Sequence, residues 1–140
     1  MDTTLVPLPD LVRTSDIVSL HAPSLPETYR MIGAPELAQM RDGATIINTA
    51  RGKLIDTDAL ITEAITGRLS AVLDVTDPEP LPTGHALFSA PGVTSTPHIA
   101  GSIGNELRRM GRQTVDEVER FVTLGTLEFE VHRRDLATIA

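Results

Sequence analysis

The chain predicts an α/β fold: a partial doubly wound parallel sheet of about four parallel strands with flanking helices. Short β-branched runs alternate with segments of helical period, the pattern of βαβ units joined by right-handed crossovers. The run around Val72 is continuously apolar, as expected of a parallel strand covered on both faces. Three segments also deliver a chemically useful residue just past a strand: Ile46-Ile47-Asn48-Thr49-Ala50-Arg51, Val72-Leu73-Asp74-Val75-Thr76-Asp77-Pro78-Glu79 and Val93-Thr94-Ser95-Thr96-Pro97-His98. In open parallel sheets the ligand crevice lies beyond the carboxyl ends of the strands, so Arg51, Glu79 and His98 are expected to converge there.

Taken in order, residues 7–14 read as a brief helix and residues 16–20 as a buried strand running into His21-Ala22-Pro23. Pro23 and Pro26 exclude regular structure until about Glu36, where a short helical turn extends to Met40. Asp42-Gly43 is a turn signal before a strand over residues 44–49. Asp56 is placed to cap a helix whose apolar stripe is Leu60, Ile61, Ala64 and Ile65, and Gly67 supplies its left-handed stop. Residues 70–75 form the next strand, and Pro78, Pro80 and Pro82 force the following segment into an irregular loop. A shorter strand covers residues 93–96. From residue 102 to 124, Leu107, Met110, Val118, Phe121 and Val122 recur near the 3.6-residue period of one long amphipathic helix.

At 140 residues, with 41% hydrophobic and 22% charged side chains, the composition is that of a soluble globular domain. A net charge of −7 opposes attraction to nucleic acid or anionic lipid, and 3% aromatic residues give no platform for stacking bases. The absence of cysteine excludes thiolate chemistry and disulfides. Met1-Asp2-Thr3-Thr4-Leu5-Val6-Pro7 lacks the basic and apolar regions of a secretory leader, so the cytoplasm is the expected compartment.

Arg51 precedes Gly52, whose backbone freedom is expected to permit a sharp turn. A guanidinium there can bind a carboxylate through two parallel N–H bonds, which an ammonium cannot reproduce. His98 is the best general acid/base candidate of the four histidines, since imidazole titrates near neutrality. Glu79 is the natural partner, because a carboxylate bonded to one ring nitrogen favours imidazolium and fixes the tautomer. His85 and His132 have no partner pattern and read as surface residues. No residue is assigned to a metal.

Asn48-Thr49-Ala50-Arg51-Gly52, Asp74-Val75-Thr76-Asp77-Pro78-Glu79-Pro80 and Thr96-Pro97-His98-Ile99-Ala100-Gly101 resemble the signatures of the NAD-dependent D-isomer-specific 2-hydroxyacid dehydrogenases, a resemblance that covers about residues 11–121. It implies a Rossmann-like cofactor domain and hydride transfer between a nicotinamide and a small 2-oxo or 2-hydroxy acid. In that reading Arg51 orients the substrate, His98 donates a proton to the 2-oxo oxygen and Glu79 holds His98. Asp74 would bind the nicotinamide carboxamide, and His21, Ala22 and Pro23 would line the adenosine side. Thr28 would meet the cofactor phosphates, Thr49 and Ala50 the nicotinamide ribose region, and Ala100 and Gly101 the cofactor at a helix start. NAD is the implied cofactor, with NADP left open.

Proteins of this kind open with a strand and a Gly-x-Gly-x-x-Gly turn, a pattern this sequence does not contain. Gly101-Ser102-Ile103-Gly104 follows a strand but lacks the first glycine pair and reads as a helix start. The chain therefore resembles the C-terminal half of a cofactor domain over residues 1–128, with 129–140 as a tail toward a substrate domain. Two alternatives stay open: a non-catalytic cofactor-sensing or dimerisation module of the same fold, and an inactive truncated remnant. A homodimer is expected, formed through the edge strand near Ile17 or the long helix, with no nucleic-acid or membrane partner.

Overall fold

Four parallel strands lie side by side in sequence order in the computed structural model, which describes residues 3–137. The chain forms two compact units, the first ending at His98 and the second beginning at Ile99. In the first, α1 (Leu8–Thr14) leads to β1 (Ile17–Leu20), α2 (Ala34–Gln39) to β2 (Thr45–Asn48) and α3 (Thr57–Ile65) to β3 (Ser70–Leu73). A proline-rich loop and a 3-10 turn at Ala86–Ser89 then precede β4 (Val93–Ser95).

Local chemistry explains these boundaries. The Asp56 carboxylate accepts from the backbone N–H groups of Asp58 and Ala59 at 3.1 and 3.2 Å, satisfying two donors that a helix start leaves without partners. Gly67 ends the same helix region with φ +74°. Helix α2 begins two residues before the expected turn, because Pro35 sits in its first turn, where a missing N–H costs no bond, and Glu36 reaches back to the Gly33 N–H at 3.0 Å.

Strand register places Val18, Ile46 and Ala71 in one row and Leu20, Asn48 and Leu73 in the next. All six are buried, and the five apolar ones form the core against the helices with Val12, Leu37, Leu60 and Leu69. The opposite face is different: Ile17 is 63% exposed and Val72 38%. Within the first unit, the expected coverage of both faces is thus corrected to one face covered by α1–α3, while Thr45, Ile47 and Ser70 on the other face are half-buried. Right-handed crossovers that always step in the same direction put every helix on the same side. Accordingly α1 packs on α2 and α2 on α3. Covering the second face requires a reversal of strand order, and the described strands contain none. The stripe of α3 is narrower than expected, with Leu60 and Ala64 buried, Ile61 half-buried and Ile65 exposed.

The second unit is built on α4 (Asn105–Leu124), which starts directly after Gly104 and ends at Gly125, φ +68°, whose N–H donates to the Phe121 carbonyl at 2.9 Å. The following segment turns back along the helix, since the Glu117 carboxylate accepts from the N–H groups of Glu128 and Phe129 at 3.0 and 3.1 Å. Leu107, Met110, Val118 and Phe121 nevertheless stay exposed. Among the described residues no helix is long and apolar enough to cross a membrane.

Candidate active site

At the carboxyl end of β2, the fully buried Asn48 side chain folds the next residues into a turn. Its Nδ2 donates to the Arg51 carbonyl at 2.9 Å and its Oδ1 accepts from the Ala50 N–H at 3.1 Å. Gly52 does not adopt a positive φ. Its role is therefore not the backbone freedom expected of it but close approach: a Cβ there would lie 2.0 Å from the Thr76 carbonyl oxygen and 2.7 Å from the Asp77 nitrogen. A 3-10 turn at Gly52–Leu54 follows, pinned by bonds from the Arg30 N–H to the Lys53 carbonyl (2.8 Å) and from the Ile32 N–H to the Leu54 carbonyl (3.0 Å).

At the end of β3, Asp74 is 3% exposed and accepts from the Thr96 hydroxyl, which arrives from the end of β4. A carboxyl group that far from water requires such partners. Farther along, Thr76 donates through Oγ1 to the Pro78 carbonyl at 2.9 Å, and Thr57, the first residue of α3, donates to the Asp77 carbonyl at 2.8 Å. The Asp77-Pro78 and Glu79-Pro80 peptides are cis. Glu79 then meets His98: Oε1 and Nδ1 are 2.7 Å apart. An ionised carboxylate only accepts, so Nδ1 carries the proton of this bond and Nε2 is the nitrogen left to a ligand. The His98 backbone has φ +55°, a conformation uncommon outside glycine that histidine tolerates better than most residues.

Beside the pair lies a cavity of about 400 Å³. Asp74, Thr76, Glu79 and Thr96 give it polar groups, and Phe88 and Pro97 give it apolar walls. Asp74 and Glu79 thus share one cavity, with His98 bonded to Glu79. Arg51 stands at the neighbouring strand end, exposed, but does not line the cavity; its Nη1 donates to the carbonyl of Ala50 at 2.7 Å. Thr49 is exposed and Ala50 half-buried in the same turn. His21 follows β1 with Nε2 2.8 Å from the Ser19 hydroxyl, while Ala22 and Pro23 are half-buried. The Thr28 hydroxyl is engaged inside its own turn, donating to the Pro23 carbonyl at 2.6 Å and accepting from the Leu25 N–H at 2.9 Å. Ala100 and Gly101 are exposed residues of the second unit.

Three residues of this arrangement escaped the sequence reading. Asn48 and Thr96 stand inside the quoted motifs, and their polarity at strand ends was the available signal; Thr57 had none, since its bond crosses 20 residues of sequence. His85 is more than a surface residue: its Nδ1 accepts from the Leu87 N–H at 3.4 Å and starts a 3-10 turn.

The strand pattern and the residues at the strand ends define a Rossmann-like α/β domain. More narrowly, the chain belongs to the D-isomer specific 2-hydroxyacid dehydrogenases, residues 1–100 matching the NAD binding domain of that family. A glycerate dehydrogenase of Methylorubrum extorquens is 40% identical over 121 residues, which is 84% of this chain and 38% of the relative. The crystal structure of the TT0316 protein of Thermus thermophilus superposes with a TM-score of 0.77 at 44% identity, covering 84% of this chain and 38% of that one. A D-isomer specific 2-hydroxyacid dehydrogenase of Xanthobacter autotrophicus Py2, solved with NADPH and MES, gives a TM-score of 0.77 at 35% identity over 91% of this chain and 52% of its own. The chain spans about two fifths of the curated relative's length.

Proposed function

We propose that the chain carries the acid/base half of a nicotinamide-dependent oxidoreductase acting on a small 2-oxo or 2-hydroxy acid. The observation that carries this reading is the 2.7 Å bond between His98 and Glu79 at the rim of a cavity that also contains buried Asp74. His98 presents Nε2 to a substrate oxygen, and Glu79 fixes the orientation and tautomer of the ring. Arg51, released from the Ala50 carbonyl, is the group for the substrate carboxylate, because its fork binds two oxygens at once. In reduction His98 gives its Nε2 proton to the 2-oxo oxygen; in oxidation it takes that proton back.

The nicotinamide end of the cofactor fits these residues: Asp74 and Thr96 offer the carboxamide polar groups between apolar walls. When bound, the nicotinamide supplies or accepts the hydride. The pyrophosphate end is not served in the same way, because the sequence contains no Gly-x-Gly-x-x-Gly turn whose N–H groups would hold it. Binding of NAD by this chain is accordingly expected to be weak, and NADP is equally open. A soluble dinucleotide and small acids as ligands support a cytoplasmic site of action, and the exposed apolar stripe of α4 supports a homodimer.

NMR titration of the 140-residue chain tests this. NADH followed by glyoxylate or hydroxypyruvate is expected to shift signals of Asp74, Glu79, Thr96 and His98, and Arg51→Lys to weaken the effect of the 2-oxo acid. Shifts confined to other residues, or none at millimolar ligand, overturn the reading.

A further inference from the structure

The Arg51 turn and the Glu79 loop meet at Gly52, and nothing in the acid/base chemistry itself requires a glycine there. We infer that Gly52, together with Thr57, is a positioning residue for Glu79: by letting two backbone segments touch, it sets where the Glu79 carboxylate meets His98. The inference rests on the acid/base reading above and deepens it.

Three observations support it. First, a Cβ on Gly52 would lie 2.0 Å from the Thr76 oxygen, 2.1 Å from its carbonyl carbon and 2.7 Å from the Asp77 nitrogen. These are all backbone atoms, so no side-chain rotation relieves the collision, and the segment two residues before Glu79 must move. Second, the Thr57 hydroxyl holds the Asp77 carbonyl at 2.8 Å, tying the same segment to the start of α3, whose own cap is Asp56. Third, the turn bearing Gly52 is fixed from behind. Asn48 grips Ala50 and Arg51, and the N–H groups of Arg30 and Ile32 bond to the carbonyls of Lys53 and Leu54. With one side immobile, the Thr76 and Asp77 backbone yields, and Glu79 moves with it. The His98 to Glu79 bond is about half exposed to solvent and closes only if the loop is already in place.

The reporter is the imidazole of His98, observed through its ring nitrogens by 15N NMR in alkaline solution. In the parent chain the proton is expected on Nδ1, facing Glu79, with well-separated Nδ1 and Nε2 resonances. Gly52→Ala and Thr57→Val are each expected to bring the two resonances toward the averaged values of a ring exchanging freely between tautomers. Thr57→Ser, which keeps the hydroxyl, is expected to restore the parent spectrum. A general loss of rigidity would not be reversed by that hydroxyl alone. Should Gly52→Ala fail to fold, the Thr57→Val and Thr57→Ser pair decides by itself. Parent-like His98 resonances in a folded Gly52→Ala or Thr57→Val chain overturn the inference. Glu79→Gln identifies which reading has failed: if the parent resonances do not respond to Glu79→Gln, the acid/base pairing itself is wrong and both readings fall. If they respond to it but not to the Gly52 and Thr57 variants, only the positioning role falls.

Discussion

Asn48 shows how a single side chain turns a strand end into a platform. A buried amide is tolerated only when its donors and acceptors are matched, and here both bonds go to the turn that carries Arg51. Asn48→Asp keeps the shape but replaces the N–H donor with an oxygen facing the Arg51 carbonyl. The expected loss is about 1–3 kcal/mol of stability, the cost of a buried group left without its partner, read from the urea midpoint. A loss below about 0.5 kcal/mol, the range of ordinary surface changes, would show that the turn does not depend on this clamp. Asn48 could be read only as a polar residue in a motif, because its partners are backbone atoms and any sequence supplies those. Gly52 acts through close approach and not through the backbone freedom its sequence context suggests: a sequence shows that a Cβ is missing, but whether that serves a turn or a contact depends on which segment lies opposite.

Among the elements, α2 depends on a residue outside itself. Arg68, in the connection from α3 to β3, donates to the Leu37 carbonyl at 2.5 Å and the Met40 carbonyl at 2.8 Å, and its Nε meets Glu63 at 2.6 Å. It thereby gives the Met40 carbonyl a partner, adds a second donor to the Leu37 carbonyl, which already accepts from the Met40 N–H at 3.1 Å, and joins two neighbouring helices. Its hydrogen bond to Glu63 holds the guanidinium pKa above the ordinary arginine value, against the opposing effect of burial. A folded-state pKa above the unfolded one adds stability that is fully present below the unfolded value and is lost only as pH rises through the folded value. For an arginine both lie near the alkaline extreme, so the contribution stays constant through neutrality. Arg68→Ala should therefore cost about 1–3 kcal/mol, by the same amount at pH 6 and pH 9. A cost that differs between these two pH values by more than the fitting error would refute that account. The elements themselves were legible from caps, stops and apolar runs: Asp56, Gly67, and the strands near Ile17, Ile46, Val72 and Val93. The single-sided coverage was not, because the apolar content of Ile17 and Val72 is the same whether or not a helix lies over them. That depends on strand order.

For the whole molecule, β1 is the end strand of the sheet. The Thr45 N–H donates to the Asp16 carbonyl at 2.9 Å, and in a parallel strand the residues that face a neighbour alternate. Val18 and Leu20 therefore turn toward β2, while Ile17 and Ser19 present their N–H and C=O groups outward, where no described strand pairs with them. Such an edge is a template for a further chain. In dilute, monomeric protein the Ile17 and Ser19 amides should exchange with solvent far faster than those of Val18 and Leu20. Protection of all four would mean that a second chain or another segment occupies the edge.

The open face of the sheet also has a calorimetric meaning. Heat capacity on unfolding measures the apolar surface newly wetted, and an ordinary domain of this length gives about 1.7–2.1 kcal/mol/K. Ile17 and Val72 on the sheet, with Leu107, Met110, Val118 and Phe121 on α4, are already wet in the folded chain and so add little to that increment. Scanning calorimetry of the free chain should return a value below this range. If the proposed self-association covers those surfaces, the missing part should reappear as a negative heat capacity change on raising the concentration, and the thermogram of the free chain then measures how much surface is left to cover.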